Sequence, residues 1–120
     1  MTKNHIEYRF EEMPEVPAEL SDGARKHWDN IMPIIFELGT ARPADIHALV
    51  LLCEMRVDLD ALQGTIRQEG ITTVAGSGGK KAHPALRSLE ATRRQVENLL
   101  DRFGLMPGYT PQAPKYSNYH

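Results

Sequence analysis

The sequence predicts a mainly α-helical protein with three helices and a small β-hairpin between the second and third helices. Apolar residues recur at the helical period in three segments, a β-branched run follows the second segment, and glycine or proline separates them. The 120 residues are enough for one domain with a modest core. We divide the chain into an acidic N-terminal arm (1–20), a helical core (21–104) with the hairpin at 71–82, and a proline-rich C-terminal tail (105–120).

The N-terminal arm has the pattern of a short, half-buried strand. Ile6, Tyr8 and Phe10 alternate with charged residues, which is the two-residue period of a strand. Pro14 and Pro17 then end any regular element. The pattern leaves open whether this arm lies on its own domain or on a neighbouring subunit.

The first helix is predicted to begin after Ser21, whose hydroxyl suits the N-cap, with Asp22 near the positive end of the helix. Pro33 lacks an amide hydrogen, so we expect it to kink or split the helix near Asn30. Gly39 ends the helix. The apolar residues at helical spacing are Ala24, Trp28, Ile31, Met32 and Ile35.

The second helix is predicted to be the longest. Thr40 or Arg42 is the expected cap, Pro43 suits the first turn, and Asp45 lies near the positive end. Good helix formers then continue without a breaker to about Ile66.

Two apolar stripes, rather than one, run along this second helix. One stripe consists of Ile46, Leu49, Cys53, Val57 and Ala61, and the other of Leu52, Met55, Leu59, Leu62 and Ile66. The chain's own helices can cover one stripe, and a second stripe in so small a domain predicts contact with another copy. The alternative is a central helix that uses both sides within its own three-helix fold.

The segment after the second helix predicts a hairpin. Gly70 suits a helix C-terminus, residues 71–74 are all β-branched, residues 76–79 allow a tight reversal, and residues 80–82 return as a second strand. A two-stranded ribbon is marginally stable alone, so its edge is a candidate for subunit contact. The residues predicted to contact another copy in a symmetric oligomer are Leu52, Met55, Leu59, Leu62, Ile71 and Thr73.

The third helix is predicted to begin at Pro84, because proline suits the first helical residue and His83 is biased towards extended geometry. Gly104 is expected to close this helix. Its apolar stripe consists of Leu86, Leu89, Val96, Leu99, Leu100 and Phe103. Pro107, Pro111 and Pro114 make the remainder an extended tail.

The net charge of -2 argues against binding nucleic acid by bulk charge alone. The charge is unevenly distributed, however: residues 1–20 have a net charge of -3 and residues 80–104 a net charge of +3. Such a difference is typical of an ordinary solvated surface, but a symmetric oligomer would repeat it as a basic track. The residues predicted to contact phosphates are Arg25, Lys26, Lys80, Lys81, Arg87 and Arg94.

The glycine and lysine residues of the hairpin do not form a phosphate-binding loop. That motif requires a glycine where this chain has Val74, and a serine or threonine where Lys81 follows Lys80. A hairpin turn explains the pattern better, and we expect no ATP binding.

No arrangement in the sequence indicates catalysis, a metal or a cofactor. The five histidines are scattered, Cys53 lies on an apolar stripe where cysteine is usually inert, and Asp58 and Asp60 face different sides of a helix. One cysteine fits a reducing compartment, and the first residues lack the apolar stretch of a secretory signal. No apolar run has the length of a membrane span. We therefore expect a non-enzymatic protein inside the cell.

The order of these features resembles the phage terminase small subunit family over roughly residues 14–108. The segments that carry the resemblance are L-S-D-G-A-R-K-H-W-D-N-I-M-P-I-I-F-E-L-G-T (20–40), E-G-I-T-T-V-A-G-S-G-G-K-K-A-H-P-A (69–85) and L-L-D-R-F-G-L-M-P-G (99–108). In the last segment Met106 stands where the family's turn has threonine. The individual residues are Trp28, Asp45, Gly70, His83, Pro84, Gly104 and Leu105.

This resemblance implies a function that composition alone does not. Small terminase subunits recognise viral DNA at packaging start sites, assemble as oligomers that are commonly rings, and bring in the large subunit that holds the ATPase motor and nuclease. The implied partners are therefore viral double-stranded DNA, the terminase large subunit and further copies of this chain, in the cytoplasm of the bacterial host and not in the mature virion. Because the arm is acidic, we expect DNA contacts on the first helix, the hairpin and the third helix.

The alternative is a helical structural or scaffold-type interaction protein of a phage, without DNA contact. It would account for the net negative charge and the double apolar stripe of the second helix. Charge reversal at Lys80, Lys81 and Arg87 distinguishes the two, because only the DNA adaptor would lose binding while it keeps its assembly.

Overall fold

The computed structural model describes residues 9–106. It contains helix α1 (Asp22–Leu38), a 3-10 turn (Pro43–Asp45), helix α2 (Ile46–Glu69), strands β1 (Thr72–Val74) and β2 (Lys80–Ala82), and helix α3 (Ala85–Arg102). The predicted three helices with a hairpin between the second and third are confirmed. Ile6, Tyr8 and the tail beyond Met106 lie outside the described residues.

Helix α1 has the predicted ends. The hydroxyl of Ser21 accepts a hydrogen bond from the N–H of Ala24 at 3.3 Å, and Gly39 adopts a left-handed conformation with φ 69°. Of the two predicted outcomes of Pro33, a kink or a split near Asn30, the split is excluded, since one helix continues through Pro33. Pro33 and Asp29 are both exposed, so water can hydrogen-bond the carbonyl of Asp29 that the proline ring leaves without its helical donor.

Helix α2 has 24 residues and reaches three residues beyond the predicted end. Arg42 caps the 3-10 turn that precedes it, and Pro43 begins that turn as expected. Thr40, the other predicted cap, has a different role: its hydroxyl donates a 2.6 Å hydrogen bond to the carbonyl of Phe103 at the end of α3. Gly70 ends α2, and its N–H donates to the carbonyl of Ile66.

The core forms where α1 and α3 both pack against α2. Each of the two apolar stripes of α2 therefore contributes buried residues to the chain's own core. In one apolar stripe of α2, Leu49 and Cys53 are buried; in the other stripe, Leu52 and Ile66 are buried. The main core cluster consists of Leu20, Ala24, Trp28, Ile31, Met32, Ile35, Ala41, Leu49, Leu52, Cys53, Val96 and Phe103.

The N-terminal arm is attached to this core in its described part. Phe10 and Val16 are partly buried against the core cluster, and Leu20 is buried within it. The N–H of Ser21 also donates to Oε2 of Glu54 at 2.8 Å, which joins the start of α1 to the middle of α2. Residues 10–21 therefore lie along their own domain.

Helices α2 and α3 form an antiparallel pair that is joined by polar contacts at both ends. At the core end, Arg102 donates to Oδ1 of the buried Asp45 at 2.9 Å. At the opposite end, Nε2 of His83 lies 2.6 Å from Oε1 of Glu69. Because α3 has 18 residues, these contacts are separated by roughly 27 Å along the pair.

The two strands form one antiparallel sheet at the end of the α2–α3 pair that lies away from the main core. We call residues 72–82 the ribbon. Five of its six strand residues are exposed, and only Thr73 is half-buried. Across residues 9–106, none of the helices combines the length and apolar character that a bilayer crossing requires.

Candidate nucleic-acid interface

The ribbon is held at its base by backbone and side-chain contacts. The N–H of His83 donates to the carbonyl of Ile71 at 2.9 Å, which extends the ladder one pair beyond the strands. At the tip, the N–H of Ala75 donates to the carbonyl of Gly79, and the N–H of Gly78 donates to Ala75 at 2.9 Å. The ribbon is therefore a closed hairpin with a short, glycine-rich tip.

His83 connects the ribbon to both long helices. Its Nδ1 accepts a 3.0 Å hydrogen bond from the N–H of Ala85 in the first turn of α3. Its Nε2 lies 2.6 Å from Oε1 of Glu69 at the end of α2. A neutral imidazole with its hydrogen on Nε2 satisfies both contacts, because Nδ1 must accept and the carboxylate must receive a donor.

The charge of this end of the molecule differs from that of the rest. No acidic residue occurs from residue 70 to residue 89, and this stretch contains Lys80, Lys81 and Arg87. Glu69, which directly precedes it, is the hydrogen-bond partner of His83. The ribbon and the first turn of α3 therefore carry three cationic side chains and no carboxylate.

Three of the six residues predicted to bind DNA are grouped at this end. Lys80, Lys81 and Arg87 are all exposed. Arg87 lines an open groove of about 510 Å³ where β2 leads into α3, and the acidic Glu90 lines the same groove. Arg87 therefore shares a groove with the end of β2, the strand that carries the two lysines.

The remaining three lie elsewhere. Arg94 borders an open surface that it shares with Arg93, Glu90 and Glu97, so acidic and basic side chains are mixed around it. Lys26 is exposed on α1, while Arg25 is half-buried and donates to the carbonyl of Ala18 at 3.4 Å. These three are therefore not part of the group around the ribbon.

The position of α1 on α2 explains the separation of Arg25 and Lys26 from the ribbon. His27 of α1 lies 2.9 Å from Oδ2 of Asp60, and Gly23 lies against Val57. Helix α2 then rises by roughly 13 Å from Asp60 to its end at Glu69. The ribbon begins only beyond that point.

The six residues predicted to contact another copy differ in their exposure. Leu52 is completely buried in the chain's own core, so its side chain offers no surface to a second copy. Four residues are half-buried, and Ile71 is 60% exposed. The half-buried residues are Met55, Leu59, Leu62 and Thr73.

Four exposed apolar side chains among residues 9–106 were not predicted, and one of them is Met13 in the N-terminal arm, which is 42% exposed. Ile34 on α1 is 49% exposed, Leu51 on α2 is 54% exposed, and Val74 on β1 is 71% exposed. Adjacency to a buried residue gave no reliable signal for the two helical residues, because adjacent helical residues can both be buried, as Leu52 and Cys53 are. Val74 was predicted to be in a strand, but its face depended on a register that only the structure gives.

Two observations bear on catalysis and metal binding. Burial raises the pKa of the Cys53 thiol to about 11, so the thiolate that a nucleophile needs is strongly disfavoured near neutral pH. In the part of the chain that the structure describes, no cluster of three or more His, Cys, Asp or Glu side chains is suited to hold a metal ion.

Comparison with known protein families identifies a match over most of the chain. The family model described as phage terminase, small subunit, matches residues 24–110, which is most of the chain. This range includes α2, α3, the complete ribbon and all of α1 except its first two residues. No significant match was found among curated proteins or among solved structures.

Proposed function

Because the chain belongs to the phage terminase small subunit family, we propose that it serves as the DNA-packaging adaptor of a tailed phage or prophage. In this role an oligomer of the chain, expected to be a ring, binds viral double-stranded DNA. It also recruits and regulates the large subunit that carries the ATPase and nuclease. The adaptor itself is non-catalytic, and it acts in the cytoplasm of the bacterial host without entering the mature virion.

The observation that most supports DNA binding is the set of exposed basic side chains on the ribbon and the first turn of α3, with Glu90 as the acidic residue that lines the groove of Arg87. Lys80, Lys81 and Arg87 are all exposed there, and no acidic residue occurs from residue 70 to residue 89. Three charges in one subunit give weak affinity for DNA, but an oligomer repeats them. Several subunits that engage one duplex then raise the overall affinity without any new type of contact.

Exposed apolar side chains away from the ribbon support the oligomer. Leu51 and Ile34 are each about half exposed, on helices whose opposite sides form the core. A Leu51→Glu variant is expected to lower the mass of the intact assembly measured by native mass spectrometry. An unchanged assembly mass would exclude Leu51 from the contact between copies.

The central experiment is a gel-shift titration of the assembled protein with phage DNA at increasing salt. Binding should weaken steeply, because cations are released from the DNA when lysines and arginines neutralise its phosphates. A K80E/K81E/R87E variant should lose binding and keep its assembly mass. A K26E/R93E/R94E variant carries the same change of charge away from the ribbon and should lose much less affinity.

Each outcome of this titration has a defined meaning. Equal losses in the two triple variants would show that overall charge, rather than the ribbon surface, holds the DNA. If the assembled protein binds no DNA at low salt, the adaptor proposal fails. The result would then favour a helical structural or scaffold-type interaction protein without DNA contact.

Recruitment of the large subunit is tested separately. Purified large subunit should be retained on the immobilised small subunit, and its ATPase rate should change when the small subunit is added. Absence of both effects would contradict the recruitment part of the proposal and would leave the DNA result unaffected.

A further inference from the structure

We propose that the ribbon enters the major groove of duplex DNA and that Lys80 and Lys81 contact phosphates on opposite walls of that groove. This inference rests on the proposed DNA-binding function and adds to it the element, the groove and the role of each lysine. The proposal follows from the strand register, the dimensions of the ribbon and the distribution of charge around it.

The register places one lysine on each face of the ribbon. Val74 pairs with Lys80, and Thr73 pairs with Lys81. Paired residues of an antiparallel sheet share a face, and successive residues alternate between faces. Lys80 therefore lies on the face of Val74, and Lys81 lies on the opposite face with Thr73. A flat patch of phosphates would meet only one of these charges, whereas a groove has a wall on each side.

The dimensions of a two-stranded ribbon favour the major groove. The two strands are about 4.8 Å apart, and side chains extend from both faces. The major groove of B-DNA is about 12 Å wide and admits a two-stranded ribbon, while the minor groove is only about 6 Å wide. Two long lysine side chains on opposite faces can then reach the phosphates that border the wider groove.

The tip of the ribbon has the small side chains that close approach to DNA requires. Its residues are Gly76, Ser77, Gly78 and Gly79, and all four are exposed. Nothing lies within 4 Å of the positions that a Cβ atom would take on Gly76 or Gly78. Val74 behind the tip is 71% exposed, and its methyl groups suit contact with the methyl group of thymine.

Contacts at the base hold the ribbon in place relative to the helices, and the ribbon carries the two lysines. The hydrogen bond from His83 to the carbonyl of Ile71 closes the ladder, and the contact between His83 and Glu69 holds it to α2. Since no acidic residue occurs from 70 to 89, no carboxylate of that stretch opposes the approach of phosphates to the lysines. The positive ribbon complements the negative phosphates of DNA. We therefore favour DNA, rather than a protein strand added to the open edge, as the ligand of the ribbon.

Dimethyl sulfate footprinting of the assembled wild-type protein on phage DNA tests the choice of groove. The reagent methylates guanine N7 in the major groove and adenine N3 in the minor groove. We expect protection of guanine N7 with adenine N3 remaining reactive. Protection confined to adenine N3, or retarded DNA without any protected base, would overturn the proposal.

Single substitutions test the separate contribution of each lysine. Lys80→Gln and Lys81→Gln should each lower the slope of log affinity against log salt by about 0.9 for every subunit that contacts the duplex, and the double variant should show the sum. Lys26→Gln is the matched control and should leave the slope unchanged. An effect of only one lysine, or an equal effect of Lys26→Gln, would contradict the two-wall arrangement.

The failure of this inference is distinguishable from failure of the proposed function. If the wild-type assembly binds no DNA, both fail. If it binds DNA, but the footprint and the salt slopes of the ribbon variants do not change as expected, the adaptor function stands and the ribbon mode is wrong. Retention of the large subunit by wild type but not by the Lys80→Gln/Lys81→Gln variant, with DNA binding intact, would assign the ribbon to protein contact instead.

Discussion

Nε2 of His83 lies 2.6 Å from Oε1 of Glu69, so the residue that follows β2 is bound to the last residue of α2. The other ring nitrogen of His83 accepts the N–H of Ala85 at the start of α3. One imidazole thus fixes the position of both long helices relative to the ribbon between them.

We predict that His83→Ala lowers the free energy of unfolding by about 1–2 kcal/mol, because it removes a cap of α3 and the partner of Glu69. His47→Ala, at an exposed histidine of α2, should change it by less than about 0.5 kcal/mol. Urea unfolding at one protein concentration gives both values. Equal effects of the two substitutions would show that the contacts of His83 contribute nothing to stability.

Asp45 is the second polar residue on which the helix arrangement depends. It is 3% exposed, its Oδ2 accepts the N–H of Arg42 at 3.0 Å, and its Oδ1 accepts from Arg102. Asp45→Ala should lower the free energy of unfolding by about 2–3 kcal/mol, since it removes buried hydrogen bonds to a charged group. The control Asp58→Ala, at an exposed carboxylate of α2, should stay within about 0.5 kcal/mol of wild type in the same urea titration.

The sequence predicted the helix ends more successfully than the contacts between helices. The cap at Ser21 and the glycines that end α1 and α2 depend on residues within one turn, so local rules are sufficient. The bond from Thr40 to Phe103 joins residues 63 positions apart, and no local rule specifies such a partner. Local rules therefore predict Thr40 only as one of two candidate caps, with Arg42, although its hydroxyl joins the segment before α2 to the end of α3.

The candidate site was likewise predicted in its composition but not in its geometry. The hairpin and its two lysines follow from the glycines and the β-branched run. Their placement on opposite faces depends on the pairing of Thr73 with Lys81, and a shift of one residue would reverse it. The burial of Leu52 was missed for a similar reason, because two apolar stripes on α2 do not reveal which neighbours cover them.

Cys53 makes stability depend on pH in the alkaline range. Burial raises the pKa of its thiol from 9.0 to about 11; the nearby Arg56 opposes this shift, and Glu54 adds to it. Between pH 9 and 11 the unfolded chain releases the proton while the folded chain retains it, so stability falls as pH rises, by up to about 1.4 kcal/mol per pH unit. Below pH 9 the thiol is protonated in both the folded and the unfolded chain, so it does not make stability depend on pH.

A Cys53→Ala variant separates the loss of stability at alkaline pH that is due to Cys53 from the loss that is due to other titrating groups. Its free energy of unfolding should fall less steeply between pH 9 and 11 than that of wild type, although it starts lower because of the lost side-chain packing. Parallel pH profiles of the two proteins would contradict the assignment. A thiol reagent should correspondingly modify native wild type at neutral pH only at the rate at which the chain unfolds.

Gly64 and Gly78 should respond in opposite directions to the same substitution. Nothing lies within 4 Å of a Cβ atom built on either residue, so space does not distinguish them. Gly64 lies inside α2, where alanine is the better helix former, and Gly64→Ala should raise the free energy of unfolding by about 0.5–1 kcal/mol. Gly78 has φ 94°, a backbone conformation that strains any residue with a Cβ. Gly78→Ala should therefore lower the free energy of unfolding by about 1 kcal/mol. Urea unfolding at matched concentration measures both, and changes of the same sign would contradict the role of φ.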